Sequence, residues 1–136
     1  MRVLAIDPGA QRVGFAVGDD ATGVAVPRGV ELWRGIDAEV DRVARLADEL
    51  GIDVIVVGLP TDMDGADTPA CRRSRALATA LTAAGLRVVL QPEVLTTDEA
   101  RRRARAVGRR PRVPVDDLAA QVILEEYLSI TERSGD

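Results

Sequence analysis

The first third of the chain is written in short apolar runs broken by turn residues. Val3-Leu4-Ala5-Ile6 leads into Asp7, a Pro8-Gly9 turn follows, and a second apolar run starts at Arg12. This pattern predicts strands over Arg2–Ile6 and Arg12–Val17, joined as a hairpin with Asp7 at the tip of the first. Residues 24–33 predict a third strand, and Pro27 inside it places that strand at a sheet edge. The period then lengthens. Val40, Val43, Leu46, Ala47 and Leu50 recur at helical spacing, with Asp37 placed to cap the helix and Gly51 just past its end. Val54–Val57 has the unbroken apolar character of a buried parallel strand. Gly58-Leu59-Pro60 reads as a turn, followed by a polar loop through Asp67. A helix from Pro69 to Ala84, closed by Gly85, precedes a second buried strand over Leu86–Leu90. Thr96-Thr97-Asp98-Glu99 is a capping box for a helix reaching Val107. Gly108 to Pro114 reads as a mobile arginine-rich loop, and Pro114 suits the first turn of a last helix running to Thr131. The order βββαβαβαα predicts an α/β fold: a mixed five-stranded sheet, three antiparallel strands and then parallel ones, flanked by helices.

Composition narrows the chemistry. A chain of 136 residues is expected to form one domain, and with one Trp, one Tyr and one Phe its core must be aliphatic. No apolar run is long enough to span a bilayer, so no membrane partner is expected. The lone Cys71 fits a reducing cytoplasm. The absence of histidine excludes Ser-His and Cys-His nucleophile pairs and histidine-ligated zinc. All 18 basic residues are arginine. Seven of them, Arg101, Arg102, Arg103, Arg105, Arg109, Arg110 and Arg112, fall within residues 101–112 with no acid between. Without those seven charges the net −4 becomes −11, so a basic patch sits on an acidic body. That is an electrostatic footprint for nucleic acid.

Three acids stand out. Asp7 ends the first strand. Glu93 follows the Leu86–Leu90 strand, where open α/β sheets present ligand crevices. Asp116-Asp117 open the last helix. At 100° per residue Asp116 shares a face with Ala119, Ala120, Ile123 and Tyr127, so it is expected to point at the core or a cleft and Asp117 towards the rim. Three carboxylates without histidine suit Mg²⁺ or Mn²⁺, which prefer oxygen ligands and assist phosphodiester cleavage. Asp62, Asp64 and Asp67 lack calcium-loop spacing and read as a solvated loop. Gly9 and Gly14 could serve close approach of a substrate, but tight turn geometry is the better reading for Gly14.

These residues resemble the YqgF or RuvX family of pre-16S rRNA nucleases, in the RNase H-like superfamily with the Holliday junction resolvases of the RuvC type. The resemblance covers nearly the whole chain. It rests on Ala5-Ile6-Asp7-Pro8-Gly9 with Arg12-Val13-Gly14-Phe15-Ala16-Val17, and on Ala25-Val26-Pro27. It continues through Val56-Val57-Gly58-Leu59-Pro60 with Asp64-Gly65, and Glu93 with Leu95-Thr96-Thr97 and Glu99-Ala100. Val115-Asp116, Ala119-Ala120, Ile123-Leu124 and Tyr127-Leu128 complete it. It implies an RNase H-like fold and a divalent-metal nuclease with Asp7, Glu93 and Asp116 as catalytic and metal residues. Arg12 corresponds to a family arginine beside the site, expected to meet a phosphate. The third motif departs from the usual Asp-Glu-Arg: here it reads Pro92-Glu93-Val94, leaving one acid and no arginine.

The expected function is metal-dependent cleavage in 5′-end processing of pre-16S rRNA. Arg12, Arg101, Arg102, Arg105, Arg109, Arg110 and Arg112 would contact nucleic acid. One alternative is resolution of branched DNA, which favours a homodimer presenting two sites. Another is a non-catalytic nucleic-acid-binding module.

Overall fold

The computed structural model describes residues 1–60, 67–93, 102, 104–110 and 114–134. Five strands form one sheet: β1 (Arg2–Pro8), β2 (Arg12–Asp19), β3 (Val24–Leu32), β4 (Val54–Pro60) and β5 (Val88–Glu93). Three helices complete the described elements: α1 (Ile36–Leu50), α2 (Pro69–Ala83) and α3 (Asp116–Ser134). Residues 102 and 104–106 are also helical, as the expected helix before Gly108 requires. Its capping box lies outside the described residues.

The sheet order is β3-β2-β1-β4-β5. β1–β2 and β2–β3 pair antiparallel, while β1–β4 and β4–β5 pair parallel. β3 is an edge strand with Pro27 in it and a register irregularity opposite Gly14–Ala16, as its sequence implied.

Alternation along the strands makes a three-layer molecule. Leu4, Ile6, Val13, Phe15, Ile55 and Val57 face α1 and α2, meeting Val43, Leu77, Ala78 and Leu81. Val3, Ala5, Ala16, Ala25, Val54 and Val56 face α3, meeting Ala120, Ile123, Leu124 and Leu128. Much of the α3 side is lined with small residues, so this helix lies close to the sheet. An alanine methyl at Gly18 would come within 3.1 Å of Leu124 and 3.3 Å of Leu128.

Several boundaries move, each for a local reason. α1 starts at Ile36 with Gly35 as its N-cap, so Asp37 lies in the first turn rather than capping. Its end is as read: Gly51 is left-handed (φ 65) and the Ile52 amide donates back to Ala47 O. Thr68 caps α2 by accepting from the Cys71 amide, ahead of Pro69. After α2 the Leu86 amide returns to Leu81 O, which holds Leu86 out of the sheet. β5 therefore runs over Val88–Glu93 rather than Leu86–Leu90. It is a half-exposed edge strand, not a buried one. Because β5 extends, Gly58-Leu59-Pro60 stays in β4 as strand, and Pro60 pairs with Glu93.

Candidate active site

Strand parity brings the acids to one end and one face of the sheet. Asp7 follows Val3 and Ala5 on the α3 side of β1, and Glu93 follows Val89 and Gln91 on the same side of β5. Between them on β4 stands Gly58. A methyl there would lie 3.1 Å from Glu93 Oε1 and 2.5 Å from Ile123 Cδ1, so the glycine makes room for the glutamate and for α3. Gly14 is the cross-strand partner of Asp7. A methyl on Gly14 would lie 2.5 Å from Asp117 N and closer still to the Asp116 carbonyl. The expectation of a turn glycine at position 14 is thus corrected: Gly14 sits within β2 and lets the start of α3 settle beside Asp7. Gly9 does close the turn, its amide donating to Arg12 O at 2.8 Å.

Asp7 and Glu93 are hydrogen-bonded to each other, and Asp116 is near enough for its charge to be felt at Asp7. Burial, then the Glu93 charge and hydrogen bond, then Asp116, push the Asp7 carboxyl well above the usual carboxylate range. Asp116 is half-exposed and bound by Arg12, whose Nε donates to Oδ2 at 3.1 Å. Arg12 therefore meets a carboxylate in this structure. Among the described residues no three acids are gathered tightly enough to enclose an ion as they stand. The three acids form a close pair and a third member held by an arginine.

The donor set nevertheless suits a hard cation. Two half-buried carboxyls in contact favour a proton or a positive ion between them, and Arg12 already serves Asp116 as a positive ion. Oxygen donors without nitrogen or sulfur favour Mg²⁺-like ions over zinc or copper.

Asp117 was expected at the rim and is instead buried. Ala120 and Ile123 of the expected stripe are buried, and the packed face widens past them to take in Asp117, Leu124 and Leu128. Asp117 accepts from Arg109 Nη1 at 2.7 Å and Nη2 at 2.9 Å, and from the Gly29 amide at 3.2 Å. Both terminal nitrogens of Arg109 are thus bonded to Asp117 in this structure. Arg102, Arg105 and Arg110 are exposed. Arg101 and Arg112 lie outside the described residues, as do Asp62 and Asp64. Asp67 is a surface acid paired with Arg72 at 3.2 Å.

Comparison with known proteins agrees with the fold. The sequence profile of the RuvX family, described as "Holliday junction resolvase", matches residues 1–130. The chain belongs to the RuvX family. Its RuvX relatives include a "Putative pre-16S rRNA nuclease" of Anaeromyxobacter sp. (strain Fw109-5), 39% identical over 132 residues, covering 94% of this chain and 96% of the relative. A protein of the same name from Thermus thermophilus is 34% identical, covering 95% and 98%. In fold, the chain resembles Thermus thermophilus RuvC in complex with a Holliday junction substrate, with TM-score 0.60, 18% identity and coverage of 99% and 96%. Fowlpox virus resolvase with junction DNA follows at TM-score 0.57 and 13% identity, covering 96% and 98%.

Among the described residues, no helix is long and apolar enough to cross a membrane.

Sequence reasoning missed Glu39. It is fully buried on α1, its carboxylate 3.2 Å from Arg42 Nη2 and without a hydrogen bond. Burial raises its pKa, against the lowering effect of Arg42. Its only sequence signal was an acid one residue before the apolar position Val40.

Proposed function

We propose that this chain is a divalent-metal-dependent nuclease that hydrolyses phosphodiester bonds, acting at the 5′ end of pre-16S rRNA with Mg²⁺ or Mn²⁺. The observation that carries this reading is the half-buried Asp7–Glu93 pair with Asp116 beside it, at the sheet end where β1 and β5 finish. Burying two carboxyls together is unfavourable unless a proton or a cation joins them. The family and the names of its relatives support a nuclease and an RNA substrate.

Asp7 and Glu93 would hold the ion, and Asp116 would complete the set once Arg12 lets go. When bound, such an ion supplies Lewis-acid activation of water and phosphate. Asp7, whose pKa is raised by burial and by Glu93, must lose its proton before it can serve as a donor, so activity should rise with pH as Asp7 ionises. Freed from Asp116, Arg12 presents its guanidinium at the mouth of the site, where it can donate to a phosphate oxygen. Arg102, Arg105 and Arg110 would hold the backbone by charge, giving affinity that falls with salt. Arg109, bonded to Asp117 by both terminal nitrogens, contributes to that role through the placement of its segment.

A second reading is junction resolution, favoured by the family's description. It would call for a homodimer whose two sites follow junction symmetry. The test is cleavage of single-stranded RNA carrying a 5′-extended 16S sequence, duplex DNA and a four-way junction, each with Mg²⁺, Mn²⁺ or EDTA. Metal-dependent cutting of the RNA supports the proposal. Symmetric cutting of the junction alone would move it to the second reading. Binding without cutting of any substrate would make the chain a non-catalytic module.

A further inference from the structure

The arginine-rich segment is bonded to the helix that carries Asp116. Its helical residues end in a turn: the Gly108 amide donates to Arg105 O at 3.1 Å and the Arg109 amide to Ala104 O at 2.8 Å. Gly108 takes φ 80, which a glycine adopts without strain. Ala104 then packs against Val115 and Leu118, at the start of α3. Beside this small apolar contact Arg109 reaches Asp117 with both terminal nitrogens, and Nη1 also donates to Pro114 O at 3.2 Å. The Asp117 side chain is 5% exposed, and the Gly29 amide on β3 is its third donor. A carboxylate with three donors and almost no solvent is a structural anchor, since a fork-to-fork pair fixes angle as well as distance.

We propose that Asp117 and Arg109 are positioning residues, an ion pair that clamps segment 104–110 to the first turn of α3 and so sets Arg105 and Arg110 relative to Asp116. The clamp itself stands on the contacts above. Its consequence for nucleic acid rests on the nuclease reading.

The competing explanation is that Arg109 grips a phosphate and Asp117 merely neighbours it. The sign of charge separates the two. Asp117→Asn removes a negative charge next to the basic segment, so attraction alone predicts RNA binding as tight as wild type or tighter. The clamp predicts weaker binding, because the exposed arginines lose their fixed placement.

The experiment compares wild type, D117N, R109Q and the double variant, each checked by circular dichroism for the native fold. The first readout is limited trypsin digestion mapped at the Arg105–Ala106 bond. Losing one partner of a buried pair should speed that cut by about tenfold or more in either single variant. The second is the affinity of a short single-stranded RNA across a salt series. Both single variants should weaken binding by a similar factor, and the double variant should be no worse than the weaker single. Wild-type trypsin resistance in D117N, with RNA binding undiminished, would overturn the clamp. So would an R109Q variant that loses one unit of salt slope while D117N binds normally, the signature of a phosphate contact. If D117N does not fold, R109Q carries both readouts. If wild type binds no RNA, the nuclease reading fails while digestion still judges the clamp.

Discussion

Gly14→Ala is the sharpest probe of how the fold builds this site. The added methyl would stand 2.5 Å from Asp117 N, where ordinary contact begins near 3.4 Å, and nearer still to the Asp116 carbonyl. These are backbone atoms, so no side chain can swing aside. The start of α3 must retreat by about 1 Å or more. That retreat carries Asp116 away from Asp7 and stretches the 3.2 Å bond from the Gly29 amide to Asp117 beyond useful range. Overpacking of this kind costs about 1–3 kcal/mol. With a urea slope near 2 kcal/mol/M, the unfolding midpoint should fall by roughly 0.5–1.5 M. Displacing one acid by about 1 Å should slow cleavage by about a hundredfold. Gly18→Ala is the control. Its methyl would press on Val24 O at 2.6 Å and on Leu124 and Leu128, further along the same face. G18A should lose comparable stability but little activity when both proteins are assayed well below their melting temperatures. A G14A protein as stable and active as wild type would refute the close-approach reasoning. Equal activity losses in G14A and G18A would refute the claim that Gly14 positions Asp116.

Other consequences follow from the same contacts. Asp7→Asn should abolish cleavage yet stabilise the metal-free protein at pH 7 by about 1–3 kcal/mol, because it removes a carboxyl that the fold holds against ionising beside two acids. A raised folded-state pKa means that wild type loses stability as pH rises from the unfolded value through the folded one. The Asn advantage should therefore be largest at neutral pH and fade towards pH 4, and equal stabilities across that range would contradict it. Arg12→Gln removes the competitor for Asp116 and a donor for phosphate. Calorimetry should show tighter Mn²⁺ binding while kcat/KM falls roughly ten- to a hundredfold, and weaker Mn²⁺ binding would count against the exchange. The buried Glu39–Arg42 pair on α1 is poorly satisfied. A Glu39→Met, Arg42→Met double variant should be as stable as wild type or up to about 4 kcal/mol more so in urea unfolding, and a marked loss would show that the pair stabilises the fold.

Strand alternation, apolar runs and turn residues made the sheet and its helices legible, including the edge position of the Pro27 strand. Where the structure departs from the local pattern, one cause is a helix cap and the other is tertiary contact. β5 begins at Val88 because the Leu86 amide closes α2, and nothing in Leu86-Arg87-Val88 announces that bond. Asp117 lies inside because the packed face of α3 is wider than the stripe drawn through Asp116, reaching past Ala120 and Ile123 to Leu124 and Leu128. Arg109 belongs to Asp117 because the segment before Gly108 packs on α3, a contact that charge counting cannot see. The acids at positions 7, 93 and 116 were readable as candidates, since each ends or opens an element. What brings them near one another was less visible. Gly14 and Gly58 read as turn residues, and Ala5 and Ala16 as ordinary small ones, until strand parity places them all under α3.

The most direct test of the central claim is cleavage of the 5′-extended 16S RNA by wild type and Asp7→Asn side by side, with Mn²⁺, with Mg²⁺ and with EDTA. The account predicts cutting by wild type with at least one of the two metals, none in EDTA, and none by the folded D7N protein. Cutting by D7N at the wild-type rate, or cutting by wild type in EDTA, would contradict it.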